Sequence, residues 1–170
     1  QPANTSIGNF VVGSEDDLKV MTAAAHAHGI RIIVDVVANH FTADWNAIDS
    51  DWQKSEYFHA RNSCSGSGGD NIDYSNRWQV THCHLLGLWD LNTANPEVAN
   101  RMHDFLKTAV NDGVDGFRFD AGKHVELPNE FDGSQYWTTI LQNGSQYQYG
   151  EVLQGDSGLD YKAYANLYAK

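Results

Sequence analysis

Basic residues are scarce in this chain: 11 Lys and Arg stand against 22 Asp and Glu in 170 residues, a formal net charge of −11. So acidic a balance argues against nucleic acid as a partner, because phosphate backbones demand a basic face. A neutral polar ligand or a cation stays open. Long apolar runs are also missing. No stretch of 18 apolar residues occurs, so no helix is expected to span a membrane. No Gly-rich phosphate fingerprint follows any candidate strand, which argues against a dinucleotide-binding, doubly wound sheet. No signal peptide opens the chain. Gln1-Pro2 reads as mid-loop and Tyr168-Ala-Lys170 as mid-helix, so both ends read as cut rather than finished. Cysteine is limited to Cys64 and Cys83. Both sit in polar, turn-rich sequence where a thiol makes poor core. A bridge between them would add roughly 3 kcal/mol in the chain-entropy model and would imply a secreted protein. Two unrelated free thiols are the alternative.

What is present is globular. The chain is 41% apolar and 12% aromatic, enough for one domain with a real core. Its Trp, Tyr and Phe residues suit sugar stacking, although most of them are needed for packing. Ser14 is a good N-cap, followed by Glu15, Asp16 and Asp17 where the helix dipole favours acids. A helix is expected from there to His28, with Leu18, Met21 and Ala25 as its apolar stripe and Gly29 as its stop. His26 and His28 cannot face one site together and read as surface residues. Residues 30–37 are apolar at nearly every position, the mark of a strand buried on both faces of a parallel sheet. Asp35 interrupts that run and should have a partner. The strand exits into Asn39 and His40.

Residues 41–87 change character. Ser, Gly, Asn and Asp dominate from Asn62 to Ser75, and the stretch is too long for a simple connection. A small irregular excursion with short strands is expected, stapled by Cys64 and Cys83. His82 and His84 flank Cys83, but two histidines are too few ligands for zinc. Asn95-Pro96-Glu97 starts another helix, with Val98, Met102, Phe105, Leu106, Ala109 and Val110 at helical spacing and Gly113 after it. Gly116-Phe-Arg-Phe-Asp120 then alternates as a strand does, with Phe117 and Phe119 on one face and Arg118 and Asp120 on the other. Opposite charges on one strand face are expensive to bury unless they serve each other or a ligand. A salt-bridged edge strand is the plain alternative. Further helices are expected at residues 134–141 and 156–170. Between them, Tyr147, Tyr149 and Glu151 share a strand face.

Strands alternating with helices mean an α/β fold with a parallel sheet. Three strands ending on His40, Asp120 and Glu151 suggest the site of a (β/α)8 barrel, which lies where strands end and loops begin. The expected layout is barrel over residues 1–40, an inserted β-rich domain over 41–87, and barrel again over 88–170.

These residues carry a family resemblance. Asp35-Val-Val-Ala-Asn-His40, Gly116-Phe-Arg-Phe-Asp120 with Lys123-His124, and Glu151 resemble three signature regions of the α-amylase family of glycoside hydrolases. Leu86-Gly-Leu-Trp-Asp-Leu91 resembles a fourth, at the end of the inserted domain. The likeness covers essentially the whole chain and is closest to secreted bacterial members of the Bacillus subtilis type. It implies retaining hydrolysis of α-1,4-glucan, with starch and maltodextrin as substrates. Asp120 matches the nucleophile and Glu151 the general acid/base. Arg118 would keep Asp120 ionised, and the aromatic setting of Glu151 would help hold it protonated. Gln1, His40, Lys123 and His124 match residues that contact sugar, the last two on the leaving side. The resemblance also implies a structural Ca²⁺, held by Asn39, Asp90 and the backbone carbonyls of Thr81 and His124. Asp35 matches a structural residue. Arg118 stands where a chloride ligand would be, but chloride dependence stays open. A third catalytic carboxylate would lie on a later strand, so the 170 residues would be an inactive part of an incomplete barrel, and the whole protein an active monomer. A transglycosylase and a glucan-binding homologue without activity are the competing readings; the second is disfavoured because both carboxylates are present.

Overall fold

The structure, a computed structural model, describes residues 2–8, 13–131 and 134–169. Three parallel strands form its sheet: β1 (Ile33–Val37), β2 (Gly116–Asp120) and β3 (Tyr147–Gly150), in that order. Helix α1 (Glu15–Ala27) precedes β1, and α2 (Arg77–His82) and α3 (Pro96–Asn111) lie between β1 and β2. Helix α4 (Tyr136–Ile140) leads into β3, and α5 (Tyr161–Tyr168) follows it. The register sets Asp35 beside Arg118 and Arg118 beside Tyr149. Val37 pairs with Asp120, so the first two strands deliver their ends to one level.

Local chemistry explains most boundaries. Ser14 caps α1 through a reciprocal pair: its hydroxyl accepts from the Asp17 amide at 3.2 Å and its amide donates to the Asp17 carboxylate at 2.7 Å. Asn95 caps α3 by accepting from the Glu97 amide at 2.9 Å, with Pro96 at the first helical position. Val98, Ala99, Met102, Leu106 and Ala109 form the buried stripe of α3. The stripe of α1 differs from expectation. Thr22 is its buried residue, whereas Met21 is 45% exposed. The cause is the turn after α3. The Thr22 hydroxyl donates to the Asp112 carbonyl at 2.6 Å, and Gly113 (φ 96°) leaves room for it, since a Cβ there would come within 2.5 Å of that hydroxyl.

The sheet buries its centre. Phe117 and Phe119 of β2 are fully buried, against α4 residues such as Trp137. The run at 30–37 is not buried on both faces: Ile30 lies outside the strand and Ile33 is 44% exposed; among the described strands, β1 lies at the edge of the sheet and pairs with β2. Helix α4 is shorter than expected, since the Ser134 hydroxyl accepts from the Tyr136 amide and starts it late. Helix α5 starts at Tyr161, where Asp160 caps it; the preceding Gly155 and Gly158 take positive φ.

The excursion is irregular but not β-rich. Among the described residues of 41–87 there are four short 3-10 turns and α2, and no strand. Isolated bridges join His40 to Asp90 and Phe58 to Leu91. Three Asp residues of the segment bind their own backbone instead: Asp44, Asp49 and Asp73 each accept an amide two residues on. Packing closes the segment through an aromatic cluster of Phe41, Trp45, Trp52, Phe58 and Trp89. The Cys64–Cys83 disulfide is formed, with Cα atoms 5.7 Å apart. Among the described residues, no helix is long and apolar enough to cross a membrane.

Candidate active site

Arg118, at the centre of β2, links the middle of β1 to the end of β2 and the residue after β3. Its Nη1 lies 2.7 Å from Asp35 Oδ1 and 2.8 Å from Asp120 Oδ1, and its Nη2 lies 3.1 Å from Glu151 Oε1. Three carboxylates on one guanidinium raise the Arg118 pKa further, Asp35 contributing most. Asp35 thus has the partner its place in the strand demanded.

The chain turns sharply after Asp120. Ala121 takes a left-handed conformation (φ 51°, ψ 33°), which costs a non-glycine residue roughly 1–2 kcal/mol. That turn aims the Ala121 amide at Glu151 Oε2, 3.1 Å away. Glu151 is therefore held by a cation and an amide rather than set among aromatic rings: Tyr147 and Tyr149, on its strand face, point to solvent at 59% and 41% exposure. This revises the expected aromatic setting. Gly150, just before Glu151, lets Tyr168 close over the strand, since a Cβ would come within 2.2 Å of its hydroxyl.

A cavity of about 220 Å³ opens beside the two carboxylates, lined by Tyr74, Leu85, Asp120, Ala121, Lys123, His124, Glu151 and Leu153. Larger hollows lie at the open sides of the sheet, one by Val36 and residues 2–8, one between β3 and α5. The first is lined by Asp35, but neither reaches Asp120 or Glu151. Lys123 is nearly buried; its Nζ is 2.9 Å from Asp156 Oδ1 and 4.9 Å from the Tyr74 ring centre. His124 Nδ1 lies 2.8 Å from the Val80 carbonyl. A carbonyl only accepts, so Nδ1 carries the proton, and burial lowers the His124 pKa to about 4. Burial also lowers His40 to about 4, against the pull of the Asp120 charge. Both rings are neutral near pH 7, fit to exchange hydrogen bonds with hydroxyl groups. Gln1 lies outside the described residues.

Behind His40 the first strand's exit is buried. Asn39 Nδ2 donates to Asp90 Oδ1 at 3.0 Å, and His59 Nδ1 lies 2.6 Å from Asp90 Oδ2. Burial pushes Asp90 up to about 6, while the His59 and Asn39 contacts hold it back. Burial works against a charged His59, but Asp90 raises its pKa overall. Thr81 and His124 are buried nearby, where α2 meets the turn after β2. His82 stacks on Trp78 and His59, and His84 Nε2 donates to the His59 carbonyl. Among the described residues, no three His, Cys, Asp or Glu side chains gather as a metal site.

Sequence reasoning located Arg118, Asp120, Glu151, His40, Lys123 and His124, and the structure brings them to one end of the sheet. It missed the Ala121 amide and Asp156. The acidic residue in the loop after β3 was visible, but nothing in the sequence pointed it at Lys123.

Parallel strands whose ends carry two carboxylates beside a cavity fit the site end of an α/β barrel. Residues 9–153 match the family model described as alpha amylase, catalytic domain. An alpha-amylase of Clostridium acetobutylicum is 35% identical over 99% of this chain, and one of Butyrivibrio fibrisolvens is 33% identical over 91%. The matches cover 24% and 18% of those two proteins. The solved alpha-amylase I of Eisenia fetida superposes with a TM-score of 0.79 at 28% identity, over 96% of this chain and 37% of that one. The chain belongs to the alpha-amylase family, and its three strands are part of an incomplete (β/α)8 barrel. It spans a quarter or less of the length of the curated relatives it matches. These matches do not distinguish the Bacillus subtilis type from other amylases.

Proposed function

We propose that the whole protein hydrolyses α-1,4-glucosidic bonds of starch and related glucans within the chain, with retention of anomeric configuration. The observation that carries this is the shared hold of Arg118 on Asp120 and Glu151. Two carboxylates held by one guanidinium at adjacent strand ends suit the close pair, about 5–5.5 Å, of a retaining enzyme better than the wider inverting pair. Glu151 gives its proton to the glycosidic oxygen while Asp120 attacks the anomeric carbon, forming a glycosyl-enzyme and releasing the leaving glucan. Glu151 then takes a proton from water, whose oxygen displaces Asp120. His40 bonds the sugar at the cleavage position, and Lys123 and His124 contact sugars on the leaving side. Related proteins support the substrate class: the alpha-amylase of Geobacillus thermoleovorans was solved with acarbose, and a variant of the Eisenia fetida enzyme with maltohexaose. The isolated 170 residues are inactive in this reading. Secretion fits the formed disulfide.

A structural Ca²⁺ belongs to the same proposal. Asp90 is a buried carboxylate whose pKa burial pushes up to about 6, the state a bound cation would relieve. The donors at hand are hard oxygens: the Asp90 carboxylate, the Asn39 amide and the carbonyls of Thr81 and His124. Ca²⁺ there would tie the excursion to the turn after β2. Chelation of the whole protein should lower its melting temperature by several degrees, and added Ca²⁺ should restore it; a melt indifferent to chelator removes the ion from the account.

The test of the reaction uses the whole protein on starch, beside Asp120→Asn and Glu151→Gln, with product anomers followed by NMR. Release of α-anomeric maltodextrins by the wild type and by neither variant supports the reading. Cyclic or branched products would make it a transglycosylase, and binding without release a glucan-binding homologue.

A further inference from the structure

We infer that Arg77, which is outside the cavity, is a positioning residue for the leaving-side sugar contacts, acting through the backbone on either side of His124. The inference rests on the glucan-hydrolase reading above. Arg77 opens α2 in the excursion, and its guanidinium donates on every side. Nε and Nη2 grip Glu130 at 2.8 and 2.9 Å. Nη1 donates to the Lys123 carbonyl, and Nη2 to the Val125 carbonyl and the Tyr164 hydroxyl. The carbonyls before and after His124 are thus held by one side chain from another part of the chain.

Each partner is itself fixed. The Glu130 carboxylate accepts the Leu127 amide at 2.8 Å, closing the turn that follows. The fully buried Tyr164 hydroxyl donates to the same Val125 carbonyl. One turn of α2 further on, the Val80 carbonyl accepts a hydrogen bond from the His124 ring N–H. The Lys123 and His124 side chains line the cavity from this clamped turn. A planar fork with five N–H groups can hold a carboxylate, two carbonyls and a hydroxyl at once, here with one Nη2 N–H shared between two acceptors; an ammonium cannot. Removing Arg77 should loosen Lys123 and His124 and leave the Asp120, Glu151 and Arg118 cluster in place.

Two substrates separate positioning from general damage in the whole protein. Maltoheptaose places sugars on both sides of the cleaved bond. α-Maltotriosyl fluoride has fluoride as its leaving group and no sugar there. For Arg77→Gln we expect kcat/KM on maltoheptaose to fall about tenfold, mainly through KM, with the fluoride within about twofold of wild type. Arg77→Lys should recover only part of the loss. An equal fall on both substrates would assign Arg77 a purely structural role, and no change on either would remove it from the account; both outcomes overturn the inference. Should Arg77→Gln fail to fold, Glu130→Gln takes its place, with the same split expected at smaller size and the same two overturning results. A wild type inactive on both substrates would refute the hydrolase reading itself, a failure seen before any variant is compared.

Discussion

The two ends of the same three strands carry opposite charge arrangements. At the C-terminal end one guanidinium, Arg118, faces three carboxylates, Asp35, Asp120 and Glu151. At the N-terminal end one carboxylate, Asp115, is met by three donors: His26 Nε2 at 2.8 Å, Arg31 Nη1 at 3.0 Å and the Ile32 amide at 2.8 Å. The first cluster is short of positive charge and opens on a cavity; the second is saturated and its carboxylate nearly buried. A saturated carboxylate has nothing left to offer a ligand and serves the fold. Like charges gathered on a scarce cation are poorly stabilised until a reaction uses them, which is how functional sites trade stability for chemistry.

The contrast breaks most visibly at Asp120. Asp120→Asn in the whole protein should lower kcat by about 10³-fold or more, while its melting temperature stays level or rises because one of three crowded negative charges is gone. Activity assays and melts on the same preparation check both halves. A variant that loses stability in step with activity would put Asp120 in the same class as Asp115.

The excursion sharpens the comparison next, because its helix α2 packs against the turn after β2 at the site end. A Cys64→Ser, Cys83→Ser pair should lower stability by about 3 kcal/mol in the chain-entropy model, measured by denaturant unfolding. Hydrogen exchange should quicken around residues 59–87, where the bridge and α2 lie, and stay slow in α1 and β2 at the base. Uniform acceleration would mean that the two ends are not independent.

Much of this was legible in the sequence because it is local. Capping at Ser14 and Asn95, the strand ends at His40, Asp120 and Glu151, and the turn-rich stretch around the cysteines follow from neighbours in the chain. What was not legible depends on distant partners. Arg77 lies 46 residues from the Lys123 carbonyl it holds, and nothing near it announces the contact. His59 is set against Asp90 from within the irregular stretch, where no periodicity exists to place it. The expected strands there failed because short-range Asp turns and aromatic packing satisfied the segment without a ladder. The stripe of α1 was misplaced for a similar reason: Thr22 is a polar residue made internal by one carbonyl 90 residues away.

The smallest effect tests the saturated end. Asp115→Asn should leave kcat and KM unchanged and lower stability at pH 7 by about 1.5–3 kcal/mol, the range for hydrogen bonds to a charged group. The pH dependence carries the sharper information. The Asp115 pKa is held below its ordinary 3.8, chiefly by the Ile32 amide and then by His26, against burial. Around pH 4 the unfolded chain therefore binds more protons at this position than the folded one. The stability Asp115 contributes is complete above its unfolded pKa and is lost as the pH falls through its lower folded value. Melts of wild type and Asp115→Asn should run parallel from pH 7 to about 5 and converge below about 4. Curves that stay parallel to pH 3 would mean that the contacts at the base hold Asp115 by shape rather than by charge, and the contrast between the two ends would lose its electrostatic basis.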